Sequence, residues 1–250
     1  MSSESAGAGR VPETSASFDR DVREGGAYRY TDGTRFSARL ANERYTALIL
    51  GATDFTGKSV VDVGAGDGTY TAEIARRTAA RTVLGMEPSA EAARRAAACY
   101  AGDAPRLSFR QGVSADLLRE GLRFDIAVYR GVVHHVPDAP VELQAAVRLA
   151  ATVIILEPNG LNAAMKAAER LSRYHREHAE RSFSPFTLAR WVREAGGEPL
   201  RLQPFGLVPY FSPDWAARVG RLLEPLVERV PLLRLAACGQ YLVVARGRPA

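Results

Sequence analysis

Val60-Val61-Asp62-Val63-Gly64-Ala65-Gly66-Asp67-Gly68 is the stretch that decides the fold. Its first half is a short β-branched apolar run, which reads as a strand inside a sheet. Its second half is a tight glycine turn, and Thr69-Tyr70-Thr71-Ala72-Glu73-Ile74-Ala75 reads as the first turns of a helix. Strand, glycine turn and helix form the unit with which an α/β protein holds a nucleotide-like ligand. The glycines permit positive φ and remove Cβ atoms that would keep a ligand off the backbone.

The spacing narrows the ligand. A dinucleotide site needs G-x-G-x-x-G, with the third glycine for close helix–strand packing. Gly64 and Gly66 fit, but Thr69 stands in the third position and Gly68 comes one residue early. No Lys-Ser or Lys-Thr follows, which excludes a P-loop. Asp62, two residues before Gly64, suits a cationic ligand without a pyrophosphate. Its carboxylate attracts an ammonium group, and the turn admits a bulky nucleoside–amino-acid conjugate. In the form Asp-x-Gly-x-Gly-x-Gly after a strand, the chain resembles the class I S-adenosylmethionine-dependent methyltransferases, whose first motif looks like this. The resemblance covers about residues 55–246 and implies S-adenosyl-L-methionine as cofactor, with Asp62, Gly64, Ala65, Gly66 and Gly68 around it.

A second acid supports that reading. Thr82-Val83-Leu84-Gly85-Met86-Glu87 reads as the next strand, and Glu87, followed by Pro88, stands near the spacing at which an acid reaches a ribose hydroxyl pair. One carboxylate accepts from both hydroxyls and so fixes the sugar.

Around these motifs strands and helices alternate. Strands are predicted at about 59–63, 82–86, 107–111, 124–129 and 152–156, with helices at about 69–78, 90–100 and 140–149. That rhythm means a Rossmann-like, doubly wound, mostly parallel sheet with right-handed crossovers. The end of the chain departs from it. A long helix is predicted over 160–180, and Ser184-Pro185 opens another that stops at Gly196-Gly197. A strand near 200–207, a helix from Ser212-Pro213-Asp214 interrupted by Pro225, and a last strand at 240–245 follow. Two strands without an ordinary crossover helix suggest a hairpin at the sheet edge, and the resemblance implies an antiparallel last strand. The predicted organisation is a disordered tail over 1–17, an N-terminal helical segment or lid over 18–54, and a methyltransferase domain over 55–250 with helical insertions at 160–183 and 212–235. By resemblance the N-terminal segment covers the cofactor, which makes Tyr28 and Tyr30 either lid residues over the substrate or local packing.

In an open parallel sheet, ligands lie beyond the carboxyl ends of the strands. After the third strand comes Gly112-Val113-Ser114. Related enzymes often place an acid where Val113 stands, facing the adenine amino group, so adenine recognition falls to backbone groups around Val113, to Ser114 or to Asp116. After the fourth comes Arg130-Gly131-Val132-Val133-His134-His135-Val136-Pro137-Asp138. It resembles the His-His-x-Pro-Asp segment of small-molecule methyltransferases and lacks the Asn- or Asp-Pro-Pro-aromatic tetrapeptide of the DNA and protein amide-nitrogen enzymes. Arg130 is assigned to the cofactor. His135 or His134 is either a general base or a group that caps the loop. After the fifth strand, Glu157 faces the same crevice. His175 and His178 continue the apolar stripe of the helix that follows, with Tyr174 nearby, and the three are either substrate-pocket residues or partly buried polar residues near a helix end. An i, i+3 histidine pair has no third ligand placed by the sequence, so no metal is predicted.

The 250 residues suit one large α/β domain. The net charge of +5 comes from arginines scattered among acids, with no dense basic run and no basic stretch interleaved with aromatics, so no nucleic acid is expected. The two cysteines, Cys99 and Cys238, match no metal spacing and read as reduced thiols of a cytoplasmic protein. The first residues lack the apolar core of a signal peptide, and no apolar run suits a membrane span. The expected activity is methyl transfer to a small-molecule acceptor at O, N or C, of the secondary-metabolite kind, with a homodimer allowed. RNA methylation and a non-catalytic cofactor-binding module are the rivals.

Overall fold

The computed structural model describes residues 35–100, 102–163, 165–167, 181–209 and 212–249. The predicted tail and lid residues, Tyr28, Tyr30, Tyr174, His175 and His178 lie outside the described residues, as does most of the predicted 160–180 helix.

The described elements, in chain order, are α1 (Phe36–Leu50), β1 (Ser59–Val63), α2 (Thr69–Arg77), β2 (Thr82–Glu87), α3 (Ala90–Tyr100), β3 (Leu107–Gln111), α4 (Ser114–Arg119), β4 (Phe124–Arg130), α5 (Ala139–Leu149), β5 (Ala150–Pro158), α6 (Pro185–Glu194), β6 (Glu198–Phe205), α7 (Asp214–Arg229), α8 (Pro231–Ala237) and β7 (Gln240–Arg246). They build a seven-stranded sheet in the order β3-β2-β1-β4-β5-β7-β6. The pairs β3–β2, β2–β1, β1–β4 and β4–β5 are parallel, and β7 runs antiparallel to both β5 and β6. This is a Rossmann-like doubly wound fold with an antiparallel last strand.

Strand parity explains how continuous apolar runs become a sheet buried on both faces. Val61, Ala127, Tyr129, Val153, Ile155, Tyr241 and Val243 form one core with Leu143 of α5 and Leu188 of α6. Their neighbours Val60, Ile126, Val128, Ile154, Leu156, Leu242 and Val244 form the other, with Ile49 of α1 and Ile74 of α2. Helix α1 is therefore part of the sheet's covering layer.

The expected antiparallel pair closes the sheet edge: β7 inserts between β5 and β6, and β6 becomes the outer strand. One feature differs from the sequence expectation. Helix α4, which the sequence reading does not place, starts after the extended Val113, whose N–H donates to Asp116 Oδ2 at 2.9 Å.

Gly85 on β2 lies beneath the glycine turn, where an added Cβ would stand 2.5 Å from Phe109 Cδ1 and 3.1 Å from the Ala65 Cβ. Phe109 sits on the neighbouring strand, directly opposite Gly85 in the register. Gly85→Ala should therefore cost about 1–3 kcal/mol by overpacking, read as a lower urea midpoint at unchanged slope. An unchanged midpoint would mean that Phe109 yields freely.

Candidate functional site

The site forms where β1, β2, β4 and β5 end, and each of three of these strands contributes a buried acid. Asp62 closes β1. It is 4% exposed, and its Oδ2 accepts the Thr71 hydroxyl at 2.6 Å, which ties the strand to the first turn of α2. Burial pushes the Asp62 carboxyl up to about 6, against the pull of the Thr71 hydrogen bond and the Arg130 charge.

The turn after β1 is held from β2. Gly64 N–H and Ala65 N–H donate to the Met86 carbonyl at 2.8 and 3.0 Å. Glu87 Oε2 accepts Gly66 N–H at 2.8 Å while Oε1 accepts Ser89 N–H at 2.9 Å. Gly64, Gly66 and Gly68 have φ of 74°, 58° and 82°, the left-handed region that a side chain would strain. Asp67 Oδ1 accepts Thr69 N–H at 3.1 Å and starts α2. Pro88 and Ser89 lead into α3, where the Ser89 hydroxyl accepts Ala92 N–H at 3.1 Å.

Arg130, at the end of β4, lies with its guanidinium carbon 3.4 Å from the Tyr70 ring centroid. It donates to Thr46 Oγ1 at 2.9 Å and to Asn42 Oδ1 at 3.1 Å. It thus clamps α1 to the glycine-turn helix, and burial holds its pKa below the usual guanidinium value. The same burial lifts the Tyr70 phenol to about 12. Asn42, Thr46, Tyr70 and Thr71 escape the sequence reading. Tyr70 and Thr71 carried a signal, since they follow the glycines directly, but Asn42 and Thr46 reach the site only through tertiary packing.

The loop after β4 is organised by Glu157. The sequence predicts this residue in the substrate crevice, but the structure makes it the loop's anchor: it is 1% exposed. Oε1 accepts Val132 N–H at 2.8 Å and Val133 N–H at 2.7 Å. Oε2 lies 2.6 Å from His134 Nδ1 and 3.3 Å from His134 N. Toward a carboxylate, which only accepts, Nδ1 is the nitrogen that carries hydrogen. His134 is buried, while His135 is half-buried with its ring centroid 3.8 Å from that of His134. The loop presses on the glycine turn, since a Cβ at Gly64 would stand 2.6 Å from Val132 Cγ2.

Beyond β3, Val113 is 38% exposed. The sequence offers Ser114 and Asp116 to adenine, and the structure commits both side chains elsewhere. The Ser114 hydroxyl is buried against Tyr129 and Glu142, and Asp116 takes the Val113 amide and pairs with Arg119. Of the groups the sequence reading offered to adenine, only the backbone around Val113 is left.

A family described as a methyltransferase domain matches residues 35–202, two-thirds of the chain. The chain belongs to this family, within the class I fold, and its cofactor is S-adenosyl-L-methionine. No curated protein is a detectable sequence relative. Among solved structures, a possible histamine N-methyltransferase from Thermotoga maritima superposes with a TM-score of 0.67 at 15% identity, covering 94% of this chain and 100% of that one. The magnesium protoporphyrin IX methyltransferase of Synechocystis PCC 6803, solved with bound S-adenosylhomocysteine, gives 0.62 at 15% identity, covering 94% and 96%. The [4+2]-cyclase SpnF gives 0.66 at 20% identity, covering 95% and 93%. At these identities the likeness is one of fold, and a cyclase on that fold shows that the fold alone does not choose the reaction.

The turn and its acids fit this cofactor. Glu87 points both oxygens at the turn and the start of α3, and each oxygen keeps a further lone pair for a ribose hydroxyl. Asp62 offers a carboxylate at the base of the turn. Asp62 also sets a pH dependence. With the folded group titrating at about 6 and the free group at 3.8, folding favours the protonated form between those values. Above pH 6 the buried charge then lowers stability by up to about 3 kcal/mol, and below the unfolded pKa the cost vanishes. Asp62→Asn keeps an acceptor for Thr71. It should raise the ligand-free stability by roughly 1–3 kcal/mol at pH 8, with the gain shrinking toward pH 4, in urea titrations across that range. A loss of stability at pH 8, or a difference independent of pH, would contradict the assignment.

Proposed function

We propose that the chain transfers a methyl group from S-adenosylmethionine to an oxygen, nitrogen or carbon of a small-molecule acceptor, with His135 as the base where the acceptor needs one. The observation that carries this reading is the loop itself. Glu157 pins residues 132–134 from below, Val132 rests on Gly64, and His135 follows on the same tight turn, its N–H donating to the Val132 carbonyl at 3.0 Å. A titratable imidazole thus sits on the loop whose Val132 packs on the glycine turn.

The bound cofactor supplies an activated methyl carbon on a sulfonium. What the chain adds is alignment and proton removal. Glu87 would accept from the ribose hydroxyls across the turn that its carboxylate shapes, and Asp62 would face the amino-acid end. His134, hydrogen-bonded through Nδ1 to Glu157, orients the loop and stacks on His135. His135 would take up the proton that an acceptor hydroxyl or amine gives up. The acceptor class is supported by the basic residues as well. Arg44, Arg76, Arg110, Arg119 and Arg246 all pair with acids, which takes these five out of any track for RNA phosphates.

His135→Asn should lower the methylation rate by roughly two to four orders of magnitude, with cofactor affinity nearly unchanged. The rate of the unsubstituted protein should rise with pH through an imidazole-like pKa, and the variant should lose that limb. If His135 serves only the loop, stability and cofactor affinity fall together while the remaining activity keeps its pH profile. Turnover near that of the unsubstituted protein would end the base assignment.

A further inference from the structure

Helix α7 sorts its side chains into three rows. Ala217, Glu224 and Glu228, at i, i+7 and i+11, face the protein: Ala217 and Glu224 are buried, and both acids pair with Arg44 of α1, at 2.9 and 2.5 Å. Gly206 N–H donates to Glu228 at 3.0 Å and adds the end of β6 to that anchor. Trp215, Val219, Leu222 and Leu226, at i, i+4, i+7 and i+11, form a second row, and it faces away from the protein. Trp215 is 72% and Leu222 77% exposed, and Leu232 on the adjoining α8 is 80% exposed. On one side of the helix, between the apolar row and the inward row, stand Arg218, Arg221 and Arg229, all exposed, with the Arg218 guanidinium carbon 5.0 Å from the Phe36 ring centroid of α1. Two of the three acids of α7 are turned inward, and only Asp214 at its start is exposed.

A stripe this apolar and this exposed, at helical spacing, is a contact surface rather than scattered surface residues. The signs of the charges choose the occupant. An exposed Trp and Leu row with arginines on its flank and its own acids withdrawn is complementary to a surface that is apolar inside and negative at its rim. A second copy fits less well. With the helices antiparallel across a two-fold axis, arginine row would meet arginine row.

We propose that α7 and α8 dock the protein on an anionic lipid bilayer. The helix lies in the headgroup plane, with Trp215, Leu222 and Leu226 entering the acyl boundary and Arg218, Arg221 and Arg229 meeting lipid phosphates. Among the described residues no helix is long and apolar enough to cross a membrane, so this contact is peripheral. It departs from the sequence-based expectation of no membrane partner. The surface is separate from the cofactor turn, so docking stands or falls independently of methyl transfer.

The test floats the full chain with phosphatidylcholine vesicles containing about one-third phosphatidylglycerol, an anionic surface. The Trp191→Phe background leaves Trp215 as the only tryptophan reporter. Docking predicts co-flotation with anionic vesicles, a blue shift of Trp215 emission, and loss of both on pure phosphatidylcholine or at high salt. Replacing Arg218, Arg221 and Arg229 together by Ala should weaken partition by about a hundredfold at low salt. Leu222→Glu, at an exposed position, should abolish the blue shift while thermal melting and S-adenosylhomocysteine binding stay unchanged. Absence of flotation, or flotation indifferent to both variants, would overturn the proposal. So would a concentration-dependent dimer that Leu222→Glu dissociates in a chain that ignores vesicles.

Discussion

The Glu87 carboxylate holds two backbone amides at once, that of Gly66 in the turn after β1 and that of Ser89 at the start of α3. A buried carboxylate is costly unless it is hydrogen-bonded, and here the amides of a glycine turn supply the bonds. In return the turn acquires a fixed shape in a backbone region that disfavours side chains. The glycine turn thus depends on an acid on one strand shaping the loop of its neighbour.

The same device recurs along the carboxyl edge of the sheet. Asp62 ties β1 to α2 through Thr71, and Glu157 ties β5 to the loop after β4 through the amides of Val132 and Val133 and the His134 ring. Each acid ends or nearly ends a strand whose apolar residues are buried on both faces, so its position is set by the core. Loops that would otherwise be soft are therefore indexed to the most rigid part of the molecule, as a site that must align a carbon with a nucleophile requires. The expense is visible at Asp62, where burial pushes the carboxyl up to about 6. Stability given up at such a group is a common signature of a binding site.

Much of this was legible in the residues. The apolar runs at 60–63, 126–129 and 153–156 alternate between two cores by strict parity, and the glycines with Asp62 and Glu87 announce both the turn and its acids. What escaped the sequence has physical reasons. Helix α4 is 6 residues long, too short for helical periodicity to register. The insertion of β7 between β5 and β6 is a choice among long-range pairings that no local pattern encodes. Glu157 looks from the sequence like any acid at a strand end, because its partners are backbone amides more than 20 residues away, which carry no side-chain signature. The clamp of Arg130 on Asn42 and Thr46 spans a still longer separation. Ser114 follows a strand as a ligand residue would, yet it starts a helix and turns its hydroxyl into the core.

The measurement that bears most directly on the Glu87-built cradle is a calorimetric titration with S-adenosylhomocysteine, run on the unsubstituted chain and on Glu87→Gln. The expected result is roughly micromolar binding to the unsubstituted chain, about 8 kcal/mol, and at least about a tenfold loss in the variant, which gives up a charged acceptor. Absence of binding heat at millimolar ligand, or equal affinity in the two proteins, would contradict it.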